Sequence, residues 1–527
     1  MNRRSRAGLF SLMLLCAPGA ALAQARALAE DDAVALAVSS NPSLHVALLR
    51  AQQNRYSLRA EQALYTPLFD ANVGYTRSRT PSLSGPAEVV DDDGNVVQRL
   101  PATTRVGTTE VFDVGAGITK PFPFGTVLSA SLSGQRSTRS FADSTLGGSG
   151  PGYALSGQVA LSQPLLRGSG RDLGEASLRQ ARLSLTASEL AAQETGSALL
   201  AQVVTAYWEL WYAGEVVRIN EASRELARVQ QEQAAQQVAS GALAPASALP
   251  YATQVAELEE AVLASRTEVR QRELGLSQLL GDARGVGASF APSDEPSEPQ
   301  ADEPLEARAT SDALQASYVR KQLQTQLLLV KDQLKTVGDP LRPRLDLDAY
   351  VQAQGLGNRS VPPAFEQFGK MEAVSAHVGL TFQTPITDTR RSSQLAAAQL
   401  SAHIVEKQLT ENELAIRSGV SAAITRRRAA RERLALSRET EKVAGQQAEA
   451  ERARFKAGGS IAISVQQAED AHRRAQLRAQ RARVDLVLAE LELDELRGLL
   501  LSRYARAIDK LPAEQRVTLS GQAQSNF

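Results

Sequence analysis

The sequence predicts a mixed α and β fold organised as an internal tandem repeat. Strands from several copies of the chain close an outer-membrane β-barrel, and very long helices pair as antiparallel coiled coils. Three observations carry this expectation. An export signal opens a chain that then shows no membrane-spanning helix. Two stretches 217 residues apart match without a gap. Helical tracts of about 60 residues, far longer than a globular helix, flank strands too few to close on themselves.

The first element is the signal. Arg3, Arg4 and Arg6 precede an apolar run from Ala7 to Ala17, and Ala21-Leu22-Ala23 is an A-x-A cleavage site. Residues 1–23 are therefore expected to be removed, with Gln24 as the mature start. Cys16, the one cysteine, lies inside that segment, and Leu15 before it does not suit a lipoprotein site. Disulfide, thiol and cysteine-ligand chemistry are thereby excluded from the mature chain. Lys+Arg and Asp+Glu are equal at 58 each, so removing three arginines leaves 55 against 58, a net −3. No basic excess points to nucleic acid. The most apolar late stretch, VDLVLAELELDELRGLLL (484–501), contains six charges and reads as a surface or coiled-coil helix rather than a membrane span.

The repeat comes next. QVASGALAPASALPYA (237–252) aligns with RFKAGGSIAISVQQAE (454–469), pairing Gly241 with Gly458 and Ser247 with Ser464. The same offset pairs Val203 with Val420, Ala206 with Ala423 and Leu226 with Val443. Each half is expected to begin with a helix, near residues 31–64 and 311–335. A proline-marked strand follows (65–78 and 339–354), then a Gly/Ser-rich excursion. A returning strand comes next, YALSGQVALSQP (153–164) and AVSAHVGLTFQTP (373–385), with period-two alternation. A long outgoing helix then reaches the glycine and a shorter one returns. In the last helix Leu477, Val484, Leu488 and Leu491 give an a/d seam. The domain boundaries expected are 24–290 for the first repeat, 291–308 for a Pro-rich acidic linker, 309–510 for the second repeat and 511–527 for a tail.

Four strands per chain cannot close a barrel, and an open edge cannot face lipid. Three chains of four strands would give twelve, an even number within the range of outer-membrane barrels. DVGAGITKPFPFGTVLSASLSG (113–134), turning at Pro123-Phe124-Gly125, is read as an accessory hairpin outside those four. Phe112, Phe122 and Phe124 are candidates for an aromatic girdle, and six strands per chain stays open as the alternative.

NPSL (41–44), SQPLLRGSGR (162–171), AYWELWYA (206–213) and the paired tip glycines, set in a duplicated strand–helix–tip–helix order, resemble the TolC family of outer-membrane efflux proteins over essentially the whole mature length. The resemblance implies a homotrimeric passive duct: a barrel in outer-membrane lipid continued by a long helical barrel across the periplasm. It further implies a periplasmic adaptor (a membrane fusion protein) and an inner-membrane transporter as partners, in efflux or type I secretion, with no cofactor. By resemblance the turns at Gly241, Ser247, Gly458, Gly459 and Ser464 form the adaptor-contacting tip. Gly458 suits a left-handed C′ position, and Ser464 with Gln467 reads as a capping box. Ser247 is likewise read as a cap. The family's acidic entrance ring falls here on Ser464 and Gln467, which are neutral, with Glu469 and Asp470 one turn deeper. Arg473 and Arg474 are spaced to pair with Asp470. The competing class, a periplasmic coiled-coil spacer or the adaptor itself, would not show two copies of strand–helix–tip.

Enzyme chemistry finds no support. His45, His377, His403 and His472 lack metal-ligand spacing. GAGITK (115–120) lacks the third glycine of a dinucleotide loop, and GGSGPG (147–152) is not G-x-S-x-G. Arg426-Arg427-Arg428 reads as a solvated helix face, and Trp208 and Trp211 as packing residues.

Overall fold

The computed structural model describes residues 26–84, 87–90, 96–100, 103–141, 149–241, 244–281, 290–297, 305–457 and 459–520. The expected signal peptide and Gly458 lie outside them. In chain order the elements are β1 (Arg26–Leu28), α1 (Glu30–Ser40), α2 (Pro42–Gln62), β2 (Leu68–Ser84), β3 (Ala87–Val90), β4 (Val96–Leu100), β5 (Thr103–Pro121), β6 (Val127–Phe141) and β7 (Ser149–Pro164). Then come α3 (Arg171–Gly174), α4 (Ala176–Ala239), α5 (Pro245–Leu280), β8 (Phe290–Pro292), α6 (Glu306–Ala316) and α7 (Tyr318–Gly338). The chain ends with β9 (Arg344–Asn358), α8 (Pro362–Gly369), β10 (Ala373–Gln383), α9 (Thr389–Lys456), α10 (Ala462–Leu496), α11 (Leu500–Arg503), α12 (Ala505–Ile508) and α13 (Ala513–Ser520). Two compact units divide it. A helical unit takes residues up to Leu49, Glu189–Arg320 and residues from Asn412 on; a sheet unit takes Arg50–Ser188 and Lys321–Glu411.

The two halves match in element length. α1 and α6 both have 11 residues and α2 and α7 both have 21. The hairpin α4–α5 has 64 and 36, and α9–α10 has 68 and 35. Val203 and Val420, paired by the 217-residue offset, are both fully buried.

The sheet unit departs from the expected four strands. Its sheet has six, in the order β10-β9-β7-β6-β5-β2. The stretch read as an accessory hairpin supplies β5 and β6, each paired on both sides. β5 pairs with β2 along all of Leu68–Ser84 and with β6 from Gly107 to Pro121. The physical reason is that β5 and β6 share the side-chain alternation of their neighbours, which fixes register once one face is apolar. All neighbouring strands run antiparallel. β5 and β6 join in a tight turn where Gly125 has φ +90, with the Phe122 amide donating to Thr126 O at 2.8 Å. The other connections are longer: β3 and β4 pair within the β2–β5 loop, and α8 lies between β9 and β10. That helix rests on β7 and β9, where side chains at three glycines would collide with it. A Cβ would stand 1.9 Å from Ala364 O at Gly355, 2.3 Å from Ser360 O at Gly357 and 2.9 Å from the Phe368 ring at Gly157.

The helical unit buries one large cluster. Tyr207 and Trp208 of AYWELWYA sit in it with Val34, Leu44, Leu200, Leu276, Val484 and Leu500 among others. Trp211 packs against its edge, so the packing role expected for both tryptophans holds. Parallel strands β1 and β8 pair here. The start of the acidic linker is folded rather than free: Asp294 accepts from the Glu30 amide at 2.7 Å and from the Tyr207 hydroxyl at 3.1 Å. Tyr207 also donates to Leu28 O at 3.0 Å. Trp208 Nε1 donates to one Glu30 oxygen at 3.1 Å, and the Tyr504 hydroxyl donates to the other. Burial pushes the Tyr207 hydroxyl up to about 12 and the Tyr504 hydroxyl higher, so both stay protonated donors. The stretch read as a tail contains α13, whose Thr518 carbonyl accepts from Gln193 at 2.8 Å.

The seam of α10 also differs from the one expected. Val484 and Leu491 are buried, but Leu477 and Leu488 are only half-buried. The second buried stripe is Ala468, Ala475, Ala479, Ala482, Leu486, Ala489 and Leu493, at alternating spacings of three and four after the first step of seven. Ala482, Leu486 and Ala489 pack on Ala430 and Leu434 of α9. Two stripes on one helix mean it has packed neighbours on two sides, which a single a/d pattern does not reveal.

Candidate functional site

Two features of the structure are candidates, one in each unit. In the sheet unit it is the sheet itself. Register aligns Phe69, Ile118, Ala130, Val159, Val351 and Ala376 in one row across all six strands. One residue along, the row reads Asp70, Gly117, Ser131, Gln158, Gln352 and Ser375. The next pair of rows repeats the division: Ala71, Ala116, Leu132, Gly157, Ala353 and Val374, against Asn72, Gly115, Ser133, Ser156, Gln354 and Ala373. Successive side chains point to opposite faces, so one face is apolar and the other polar.

The apolar face is uncovered over much of its extent: Phe69 is 67% exposed, Val159 55% and Val378 74%. An apolar area of this size does not face water in a soluble monomer. The polar face is knit by its own contacts. Asn72 Nδ2 donates to Asp113 at 3.2 Å, Ser162 donates to Asp348 at 2.8 Å, and the Ser133 and Ser156 hydroxyls lie 2.7 Å apart. Tyr75 and Phe112 pair midway along β2 and β5, while Phe122 and Phe124 stack at 5.5 Å in the β5–β6 turn. From Phe112 to Phe122 is ten residues, or ~33 Å of strand and ~25 Å of height at a 40° tilt, the height of an outer-membrane apolar band.

In the helical unit the candidate site is the pair of turns. Gly241 follows α4 with φ +75 and its amide bonds Val238 O at 3.1 Å, a left-handed helix end. Gly458 lies outside the described residues. Gly459 after it donates to Arg454 O at 2.8 Å, the six-residue bond of a Schellman ending. Both expected serine caps are corrected. The N-cap of α5 is Ala244, because Pro245 is preorganised for the first helical position, which leaves Ser247 inside the first turn. The N-cap of α10 is Ile461, and the Ser464 amide is already bonded back to Ile461 O at 3.0 Å. Neither helix has a side-chain cap bond.

The acids behind the tip are neutralised. Glu469 forms an ion pair with Arg452 of α9 at 2.8 Å, and Asp470 pairs with Arg473 at 3.4 Å. Arg474 instead donates to the Asp470 backbone carbonyl at 3.2 Å. Glu469, Asp470, His472 and Arg473 line a polar cavity of about 200 Å³ with Gln254 and Leu258 of α5. Ser464 is half-buried and Gln467 exposed, outside this cluster. Sequence reasoning missed Arg452, because a partner 17 residues away across a turn has no local spacing signature. It also missed that Ser131 and Ser133 join the polar face of the six-stranded sheet, though their alternation was visible.

The arginine run is solvated at Arg426 and Arg428 but not at Arg427 between them. Arg426 pairs with Glu492 at 2.6 Å, and Arg427, 4% exposed, pairs with Glu490. With Arg433–Asp485 at 3.9 Å and Arg452–Glu469 they form a ladder between the antiparallel α9 and α10. Among the described residues there is no cluster of potential metal ligands and no helix apolar enough to cross a membrane.

Residues 306–499 match the family described as outer membrane efflux protein. No curated protein matches the chain in sequence. Among solved structures the chain is similar to the outer-membrane channel OprN, at 16% identity and a TM-score of 0.63, with 89% of each chain covered. It is similar to the CmeC outer membrane channel of Campylobacter jejuni, at 13% identity and 0.64, covering 93% of this chain and 89% of that one. It is also similar to the open state of the MtrE outer membrane channel of Neisseria gonorrhoeae, at 14% identity and 0.59, covering 89% and 88%. At these identities the likeness is one of fold.

Proposed function

We propose, from a chain whose residues 306–499 match the family described as outer membrane efflux protein, that the protein is a passive exit duct for tripartite efflux or type I secretion. Three copies join their sheets edge to edge in the outer membrane, and the long helices form the periplasmic part. Nothing in this role requires catalysis. The two-faced sheet supports the reading most: an apolar face wants lipid and a polar face wants a water-filled lumen. The matched element lengths support a tandem repeat with boundaries at 24–290 and 309–510. Mass photometry of the detergent-solubilised protein from the outer-membrane fraction is expected to show a stable trimer. A monodisperse monomer with full β-content overturns the assembly.

The turns at Gly241, Ser247, Gly458, Gly459 and Ser464 are the surface a periplasmic adaptor engages, with an inner-membrane transporter beyond it. Gly241→Val forces a β-branched residue into a left-handed conformation, at a penalty of ~1–2 kcal/mol. Adaptor binding in a pull-down is expected to fall while the barrel stays membrane-inserted. Unchanged binding and export show that the tip lies elsewhere.

The entrance is neutral at Ser464 and Gln467, and Glu469 and Asp470 behind them are held by arginines. Cation selectivity is therefore weak, since confined fixed charge is what selects. In planar-bilayer recordings Ser464→Asp is expected to sharpen cation selectivity and divalent block. Strong wild-type selectivity that no tip substitution alters contradicts this gate.

A further inference from the structure

β5 and β6 are additional to the two hairpin strands that each repeat half needs, and their position in the sheet has a consequence for the width of the pore. Both are paired on each side by uninterrupted ladders, between β2 and β7. Both keep the two-faced pattern: Ile118, Ala130 and Leu132 on the apolar side, Ser129, Ser131 and Ser133 on the polar side. Their connecting turn is short and lies at the same sheet end as the strand ends leading to α2, α4, α7 and α9, whereas at the other end the β2–β5 and β9–β10 connections are long. Short turns on one side and long loops on the other are the asymmetry of outer-membrane barrels. At 19 and 15 residues both strands exceed the 9–11 that a tilted strand needs to cross a bilayer.

We infer that β5 and β6 form a membrane-spanning hairpin in the barrel wall, so that three protomers close an 18-stranded barrel rather than a 12-stranded one. This rests on the trimeric reading above. The unpaired strands β2 and β10 at the sheet's two edges are then the surfaces by which one copy pairs with the next, β2 of one against β10 of its neighbour. At ~4.8 Å between strands and ~40° of tilt each strand adds ~2 Å to the diameter, giving ~36 Å for 18 strands against ~24 Å for 12. Barrels of 16–18 strands enclose an open aqueous channel.

Electron cryomicroscopy of the full-length protein in lipid nanodiscs tests this directly. The expected cross-section at membrane level has 18 strands. A variant lacking 103–141, which keeps β2 and β7 antiparallel, is expected to shrink the wall to 12. A trimer with 12 strands and a displaced hairpin overturns the inference and leaves the duct reading standing. A particle that is not trimeric overturns the duct reading first. Cysteine labelling in intact outer membranes gives an independent readout. Ser131→Cys and Ser133→Cys are expected to react with a small membrane-impermeant maleimide, and Ala130→Cys and Leu132→Cys to be protected. Reaction at all four positions places the hairpin in water and overturns the inference.

Discussion

Val159→Arg is expected to abolish assembly in the outer membrane, while Gln158→Arg, one residue away, leaves it intact. Val159 lies in the middle row of the apolar face and Gln158 in the middle row of the polar face. An arginine on the lipid face at the bilayer midplane costs ~2–4 kcal/mol, and three copies in one barrel multiply this to ~6–12 kcal/mol. At Gln158 the guanidinium reaches water in the lumen and no such penalty applies. Heat-modifiable mobility on gels and sedimentation with the outer-membrane fraction read the result. Equal tolerance of both substitutions removes the assignment of the faces.

Tyr207→Ala is expected to lower the stability of the helical unit by ~3–5 kcal/mol, as for a large buried aromatic truncated in a core. Tyr207→Phe removes only the hydroxyl and leaves the Asp294 carboxylate short of a donor, for a loss of ~1–3 kcal/mol. Thermal melts of the helical circular-dichroism signal in detergent check both values. The hydroxyl also makes a pH prediction. Its folded pKa is raised from 10.0 to about 12 by burial, so the unfolded chain loses its proton first. The stability this tyrosine contributes is full below pH 10 and declines as pH rises from 10 towards 12. The Phe variant is expected to decline less steeply over this window, keeping the share contributed by Tyr504 and the other raised tyrosines.

Much of the architecture was legible because long-period features survive without a register. The 217-residue offset between matching stretches and the great length of the helices follow from composition and spacing, and Gly241, the partner of Gly458 at that offset, has a left-handed backbone. Strand count was not legible, because alternation in 113–134 says that a strand exists but not what it pairs with. The structure answers that through the partner of Ser131, which is Gln158. The helix caps failed for a local reason: Pro245 competes with Ser247 for where α5 begins, and proline decides. The coiled-coil seam holds at Val484 and Leu491 but misses the alanine stripe, because a methyl group carries little hydrophobic signal, although Ala475, Ala479 and Ala482 are packed to 2% exposure or less. The charge state of the tip depended on Arg452, a cross-turn partner that only the folded hairpin identifies.

The alanine stripe on α10 has a mechanical consequence. Methyl groups make a shallow corrugation, so one helix meets little resistance to sliding or rolling over the other, and small displacements of packed helices are the shear motions of which proteins are capable. What holds α9 and α10 in register is then the set of arginine–carboxylate rungs from Arg426–Glu492 to Arg452–Glu469. Such rungs are directional, spaced along the hairpin, and weakened by salt where they reach solvent. Where Leu434 of α9 meets Leu486 the hairpin is keyed by packing, and nearer the turn, where the stripe is alanine alone, charge sets the alignment.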